Sequence, residues 1–358
     1  MSRVEEIAKR VAQGERLGAE EALILWQEAP LWRLGELACQ LKRKVSGDKV
    51  YYNRNFHVEP TNVCLFECKF CSYRRSRGEE GAWEHSMEEI LEMVESRRDS
   101  GATEVHIVGG VDTSHDIYYY AEMIRRIKQT MPSLCVKAFT AVELNYMIKH
   151  AGLSLEQGLQ LLKEAGMESI PGGGAEIFTP EIRQEICPQK GSAEEWFALH
   201  DAAHRLGIDS NVTMLYGHME SIEHRIDHLL RIRNQQDKTG GFNAFIPLKY
   251  RSAHNAMSAL GETSVTDDLR TLAMSRILLD NVPHIKAYWV MYGKQVAELA
   301  LSFGADDIDG TIDDSTKIYS MAGAADVRPR LSVEDIERMC RVAGLRAVER
   351  DTHYNEIE

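Results

Sequence analysis

No run of apolar residues in this 358-residue chain approaches the roughly 18 that a membrane-spanning helix needs. Positive charge is also short. Asp plus Glu total 55 against 42 for Lys plus Arg, a net −13, whereas a general nucleic-acid binder wants a basic face. A local basic pocket remains compatible with that balance. No GxGxxG follows the first strand-like segment, which disfavours a doubly wound dinucleotide-binding sheet. Neither a Ser/Gly-rich linker nor an internal repeat is visible. The start, Met1-Ser2-Arg3-Val4-Glu5-Glu6, is charged and helical in pattern and lacks a secretory leader; a cytoplasmic location is expected. Cysteine is scarce and odd in number, at seven, so a disulfide framework is disfavoured and metal or redox chemistry is the better reading. With 44% hydrophobic and 27% charged residues, the chain has ordinary globular composition and enough apolar material for a sizeable core.

What is present is alternation. Residues 1–45 read as helical, with Leu31, Leu34, Ala38 and Leu41 at helical spacing. Strand-like runs follow at Phe56–Glu59, Glu104–Val108, Leu134–Phe139, Glu168–Ile170, Asp209–Leu215, Phe242–Leu248, Ile285–Met291 and Asp306–Ile308. Helical patterns separate them, one opened by a capping box of Ser86 and Glu89. A tail helix over 332–346 is capped by Ser332 and Asp335. About eight strands over some 250 residues predict an α/β fold, a closed (β/α) TIM-like barrel. The expected organisation is an N-terminal helical extension over 1–50, a barrel core over 51–310 and a C-terminal helical extension over 311–358. In such barrels the chemistry sits on the loops that follow the strands.

Cys64, Cys68 and Cys71 lie within eight residues on the loop after Phe56–Glu59, in a CxxxCxxC spacing. Ordinary electron-transfer clusters take four cysteines. Three thiolates hold three irons of a [4Fe–4S] cluster and leave the fourth iron open, as a catalyst requires. The alternative is a structural zinc site of Cys₃His type with His57 or His85 as fourth ligand. Zinc sites usually place their cysteines on two separate arms, which this segment does not. Cys39, Cys135, Cys187 and Cys340 are scattered and read as small buried apolar residues.

CxxxCxxC with Phe70 before its last cysteine resembles the radical S-adenosylmethionine (radical SAM) superfamily. Four further segments sharpen the resemblance: His57–Cys64 (HVEPTNVC), Lys69–Tyr73 (KFCSY), Pro171–Phe178 (PGGGAEIF) and Met214–His218 (MLYGH). Together they resemble the aminofutalosine synthase family of that superfamily, over about residues 30–340. The resemblance implies a [4Fe–4S] cluster on Cys64, Cys68 and Cys71, S-adenosylmethionine as co-substrate, and a one-electron reductant such as flavodoxin or ferredoxin. It implies the small-molecule substrate 3-[(1-carboxyvinyl)oxy]benzoate, to whose enolpyruvyl double bond the 5′-deoxyadenosyl radical adds. Rearrangement with loss of the carboxyl group then gives 6-amino-6-deoxyfutalosine, on a route to menaquinone. Dehypoxanthine futalosine cyclase and the deazaflavin-forming FO synthase components share the motif set and are the alternatives within the group. A non-catalytic zinc or iron–sulfur protein is the alternative outside it.

Site residues follow from the motifs. Gly109 and Gly110 resemble the glycines that meet the methionine amino group, with Val111 and Asp112 where an acid is expected. Gly173, within Gly172–Gly174, permits close backbone approach to a ligand, and Glu176 beside it is a candidate acceptor for ribose hydroxyls. Phe70 lies in the cluster loop, and Tyr73 just beyond it is a candidate to pack on adenine. His218 is the candidate proton-transfer or carboxylate-binding group. Arg251 is the candidate carboxylate anchor through its bidentate fork, followed by Arg54 and Lys249. The i,i+4 pairs His200/His204 and His224/His228 are expected on solvated helix faces, and the acidic run around Asp309 and Thr311 in a turn near the barrel mouth.

Overall fold

The computed structural model describes residues 2–311, 318–323 and 330–357. Its strands are β1 (Lys49–Asn53), β2 (Asn55–Val58), β3 (Glu104–Ile107), β4 (Cys135–Ala138), β5 (Met167–Ile170), β6 (Asp209–Tyr216), β7 (Phe242–Lys249), β8 (His284–Ile285), β9 (Asp307–Gly310) and β10 (Arg346–Glu349). β2 to β8 form one seven-stranded sheet in sequence order, parallel throughout. A bridge between Lys286 and Asp307 carries the curl on to β9, which pairs in parallel with β1. Because β1 runs into β2 across Arg54, the sheet returns on itself. The barrel expected from the alternation is therefore present.

These segments are strands because both of their faces are covered. All four residues of β2 and of β4 are buried, as parallel strands sandwiched by helices require. The helices supply the cover. Ile117–Thr130 buries Ile117, Tyr120, Ala121, Ile124 and Ile127, an i, i+3, i+4 stripe. The capping box at Ser86 and Glu89 forms as expected, and others start helices at Ser154 and Ser192. Of three N-terminal helices, Ala19–Glu28 and Leu31–Ser46 pack on the helices Ile222–Thr239 and Val265–Leu278, and Arg3–Ala12 packs on those two.

Some elements differ from expectation. β1 was not foreseen as a strand. The run Ile285–Met291 gives a strand of two residues followed by a helical turn, Trp289–Tyr292. A short apolar run fits either state, and here the Trp289 indole reaches the Gly310 carbonyl at 2.9 Å, which suits the turn. The tail is helical over Val333–Val342 and then adds β10 against β1. The paired histidines are largely buried. His200 and His204 both face Ser210 Oγ, at 3.0 and 2.8 Å. His228 Nε2 lies 2.9 Å from the Thr213 carbonyl, its ring stacked on Phe178. These rings fasten helices to β6, because a buried strand needs polar partners as well as apolar cover. His224 keeps an exposed position, where its Nδ1 accepts from Ser221 N–H at 3.1 Å.

Downstream of β10 the tail seals the lower end of the barrel with charge. Arg350 donates to Asp307 Oδ2 at 2.9 and 2.7 Å, and both side chains are fully buried. Tyr354 O–H adds a bond to the same oxygen, and Thr352 O–H donates to Glu104 at 2.6 Å. Arg350→Ala leaves Asp307 buried without its counter-ion. Breaking such a pair costs about 3–5 kcal/mol. Urea unfolding of the variant should show a loss of that size, and a change under about 1 kcal/mol would mean that the tail does not hold β9.

Candidate active site

The cysteine loop leaves β2 and is fixed on both flanks by backbone bonds. On one side Gly110 N–H donates to the Thr61 carbonyl and Leu65 N–H to the Val111 carbonyl, each at 2.8 Å. A Cβ at position 110 would stand 2.0 Å from the Val63 carbonyl oxygen, so only glycine permits this approach. On the other side Lys69 N–H donates to Ile186 and Ala256 N–H to Lys69, at 2.8 and 2.9 Å. Cys68 packs with Cys187, Leu215, Tyr250 and Met257. Burial pushes the Cys68 thiol up to about 12, against the pull of the Lys190 ammonium.

Val111 N–H points at Cys64 Sγ, 3.3 Å away. Amide bonds to cysteine sulfur are among the features that tune iron–sulfur clusters. Tetrahedral zinc, with Zn–S near 2.3 Å, holds its sulfurs about 3.8 Å apart. Among the described residues, the three cysteines form no group with all ligand atoms within 4.8 Å of one another, with or without His57 or His85. His57 instead lies within the barrel on β2, its ring 4.5 Å from that of His106. Three soft donors on one pinned loop, an amide aimed at one of them and no zinc-sized group fit a multi-iron cluster held by Cys64, Cys68 and Cys71.

Above the strand ends lies a cavity of about 320 Å³. Phe70, Cys71, Tyr73, Gly109, Gly173, Glu176 and Arg251 all line it, so the fold collects residues from four separate loops. Tyr73 is buried, with its O–H on the Thr61 carbonyl at 3.1 Å. Gly172 has φ +87°, and a Cβ there would meet the Asn211 carbonyl at 2.2 Å. Glu176, which is not a glycine, is held at φ 47°, a region disfavoured for side-chain-bearing residues and enriched at functional sites. Its carboxylate is buried and takes a 2.5 Å bond from Lys190 Nζ.

The turn after β3 is held by a residue that the sequence reading passed over. Glu143 Oε1 accepts from Gly109 N–H at 3.0 Å, and Oε2 accepts from Thr140 N–H at 2.8 Å and Thr140 O–H at 2.5 Å. Burial raises its carboxyl to about 7. The signal was readable, since Thr140-Ala141-Val142-Glu143 is a capping box opening the unforeseen helix Ala141–His150. Asp112, downstream of the glycines, turns away to Arg77 at 2.7 Å.

The cavity floor is polar and was also not foreseen. Lys137 pairs with Glu104 and Lys286 with Asp309, both at 2.6 Å and all buried. Burial would raise Glu104, but Lys137, Arg350 and Lys286 hold it well below the usual carboxylate range. Thus Asp309 does reach the cavity, through a lysine partner.

Other candidates lie elsewhere. Gly110 sits behind the lining, against Val63. The His218 side chain is fully enclosed beneath its own turn: Nε2 is 3.1 Å from the Leu215 carbonyl and Nδ1 is 3.2 Å from Glu220. It does not line the cavity. Arg54 lies outside the cavity and pairs with Glu349 at 3.1 Å, because β2 starts at the far end of the barrel from the cysteines. Lys249 lines the cavity, but its ammonium is committed to Asp268 and the Thr263 carbonyl, at 2.8 and 2.9 Å. Thr311 faces the Asn55 carbonyl at 3.5 Å.

A parallel barrel with three cysteines on one loop beside a cavity at the strand ends has donors that fit an iron–sulfur cluster and room for a small molecule. Residues 58–232 match the model of the radical SAM superfamily, and residues 239–358 match the CofH/MqnC C-terminal region. Aminodeoxyfutalosine synthase of Thermus thermophilus is 41% identical over 355 residues, 98% of this chain and 95% of that one. The 5-amino-6-(D-ribitylamino)uracil–L-tyrosine 4-hydroxyphenyl transferase 2 of Methanosarcina acetivorans is 38% identical over 99% of this chain and 92% of its own. The crystal structure of methylornithine synthase shares the fold, with a TM-score of 0.76 at 16% identity over 95% of this chain and 97% of that one. The chain belongs to the radical SAM superfamily. Among the described residues no helix is long and apolar enough to cross a membrane.

The cluster assignment has a direct check. Cys64→Ala, Cys68→Ala and Cys71→Ala should each abolish stable iron and sulfide incorporation in anaerobically prepared protein. Cys135→Ala and Cys187→Ala should keep it. Retention of iron in the Cys68 variant together with loss in the Cys187 variant would overturn the assignment.

Proposed function

We propose that the chain joins the adenosyl group of S-adenosylmethionine to 3-[(1-carboxyvinyl)oxy]benzoate, giving 6-amino-6-deoxyfutalosine. The observation that carries this reading is the 41% identity to an aminodeoxyfutalosine synthase across 98% of the chain, together with a cavity at the strand ends ringed by the loops described above. A [4Fe–4S] cluster, when bound, supplies the one-electron cleavage of the sulfonium to methionine and a 5′-deoxyadenosyl radical.

The bond changes balance without a net electron. A C–C bond forms between C5′ and the vinyl methylene carbon. The aryl group moves from the ether oxygen to the adjacent carbon, and that oxygen becomes the product ketone. The bond to the carboxyl carbon then breaks and leaves the electron on the carbon dioxide radical anion, a strong one-electron reductant; that electron returns to a bound cluster in its oxidised state, leaving neutral carbon dioxide and no net electron consumed.

The chain's own residues bind, orient and exclude water. Glu176, fixed by Lys190, offers carboxylate oxygens to ribose hydroxyls. The backbone at Gly109 and Gly173 lets the ligand approach without side-chain contact. Val108, Leu215, Ile246, Leu248 and Met291 contribute apolar wall, which keeps water and stray hydrogen donors from a reactive carbon radical. Arg251 takes a substrate carboxylate. Its Nη2 donates to the Gly323 carbonyl at 3.0 Å and its Nη1 lies 3.2 Å from Glu262. Its Nε is buried and makes no hydrogen bond among the described residues, so an N–H stands ready for an incoming oxygen.

Two measurements test this. Anaerobic turnover with S-adenosylmethionine, reductant and the enolpyruvyl benzoate should yield methionine and one adenosyl-containing product per turnover, with little free 5′-deoxyadenosine. Stoichiometric 5′-deoxyadenosine with a cyclised or dehydrogenated product would favour a cyclase instead. A 4-hydroxyphenyl product would favour the transferases that are 38% identical.

The second concerns the anchor. Removing one partner of a buried charge pair costs about 2–5 kcal/mol, roughly 30-fold or more in affinity. Arg251→Ala should lower kcat/KM for the benzoate by at least that factor while cluster absorbance and S-adenosylmethionine binding persist. Arg251→Lys should recover part of it, since a point charge lacks the planar fork. An unchanged kcat/KM in the alanine variant would eliminate Arg251 as the anchor.

A further inference from the structure

At the end of the barrel opposite the cysteine loop, the starts of three consecutive strands meet the tail. Cys135 is the first residue of β4, Glu168 the second of β5 and Asp209 the first of β6, and His353 follows β10. The Cys135 sulfur, a Glu168 carboxylate oxygen and a His353 ring nitrogen all lie within 4.8 Å of one another. None of the three lines the cavity at the other strand ends. Their meeting is a tertiary event, because the residues come from distant parts of the chain with no motif spacing between them.

Each of the three side chains is held in place by a neighbour. Asp209 Oδ2 lies 2.9 Å from His353 Nδ1. That contact puts the ring proton on Nδ1 and leaves the Nε2 lone pair without a hydrogen bond among the described residues. A carboxylate behind one ring nitrogen is the usual setting of a metal-ligating imidazole. Glu168 Oε2 accepts from Val136 N–H at 3.0 Å and from Lys128 Nζ at 3.2 Å, where the pairing of β4 with β5 shifts register. Its other oxygen makes no hydrogen bond among the described residues. Cys135 is 8% exposed, whereas the Glu168 and His353 side chains are 37% and 40% exposed, so a soft donor sits at the base of an opening to solvent. Burial pushes the Cys135 thiol up to about 12, and the sulfur keeps its proton until a cation displaces it. Asp209, Asp351 and Glu168 all act on His353 and Lys128 offsets only Glu168, so the local field favours a cation.

We propose that Cys135, Glu168 and His353 bind one zinc ion, with water in the fourth position and Asp209 fixing the histidine ring. Thiolate, imidazole and carboxylate together are a zinc donor set, whereas calcium and magnesium take oxygen ligands. Tetrahedral zinc holds such donors about 3.3–3.6 Å apart. The part-exposed Glu168 and His353 side chains close to that separation by rotation, with Cys135 as the fixed point. The bound ion ties the tail to β4 and β5 beside the bond from Thr352 to Glu104, and so fastens the lower end of the barrel. The site is independent of the iron–sulfur cluster and of the substrate that fills the cavity.

The test is equilibrium dialysis of the untagged, cluster-loaded chain against zinc buffered by a competing chelator, with zinc and iron counted by plasma mass spectrometry. Wild type should take up one zinc per chain beside its iron. Asp209→Asn should weaken zinc binding by about 10–100-fold, as loss of a partner behind a ligating histidine does. Cys135→Ser and His353→Ala, which remove ligands, should weaken it further while iron content stays at the wild-type level. His353 is exposed enough that its variant should fold normally, and zinc should raise the thermal midpoint of wild type but not of His353→Ala. A variant with Cys64, Cys68 and Cys71 all changed to alanine should lose iron and still bind the zinc. No zinc uptake by wild type would overturn the proposal, and so would undiminished uptake by His353→Ala. Loss of the zinc from the triple-alanine variant alone would overturn it as well, by placing the ion on the cysteine loop.

Discussion

The Val63 carbonyl oxygen occupies the space where a side chain at position 110 would begin, 2.0 Å from an ideal Cβ. The arrangement of the site descends from that contact. It lets the turn after β3 lie flat on the cysteine loop, so that Val111 N–H reaches Cys64 Sγ. It also leaves Gly109 N–H free to meet Glu143, whose second oxygen is held by Thr140. The Thr140 methyl in turn abuts Gly173, where a Cβ would come within 2.9 Å. Four loops from four strands are thereby keyed to one another, from the cysteines to the backbone that precedes Glu176. Interiors packed this closely do not absorb an added methyl group without displacement.

Charge is the second constraint. Four lysines line the cavity and each is matched to a carboxylate: Lys137 to Glu104, Lys190 to Glu176, Lys249 to Asp268 and Lys286 to Asp309. Burying such pairs yields little net stability, and breaking one is expensive. Their value here is positional. They give the cavity a set of fixed dipoles with almost no net charge, and Arg251 is the residue proposed to meet a carboxylate there. The floor histidines stay neutral for a related reason, since burial lowers His57 to about 4.

The barrel was legible in the sequence because the β–α alternation and the capping boxes are local signals. The cysteine loop was legible because its three cysteines are close in sequence, and the place of Gly173, Glu176 and Arg251 at the cavity because they follow strand ends. What escaped notice depends on tertiary partners. β1 exists only because β9 and β10 flank it. His228 turns inward because Thr213 and Phe178 N–H need partners that no helical period reveals. His218 follows a strand end as the other candidates do, yet Glu220 and the Leu215 carbonyl close over it. Lys190 gave no periodic signal, because its role is set by Glu176, fourteen residues earlier and folded back at positive φ. The Thr140–Glu143 capping box shows the opposite case, a local signal with a distant consequence at Gly109.

The central claim is that three cysteines hold a cluster with one iron left open to S-adenosylmethionine beside the cavity. Electron paramagnetic resonance of the anaerobically reduced protein, recorded before and after S-adenosylmethionine is added, tests it most directly. The account predicts a reduced [4Fe–4S] signal whose g-values shift when S-adenosylmethionine binds the open iron. A cluster signal unaffected by saturating S-adenosylmethionine, or no cluster signal at all, would contradict it.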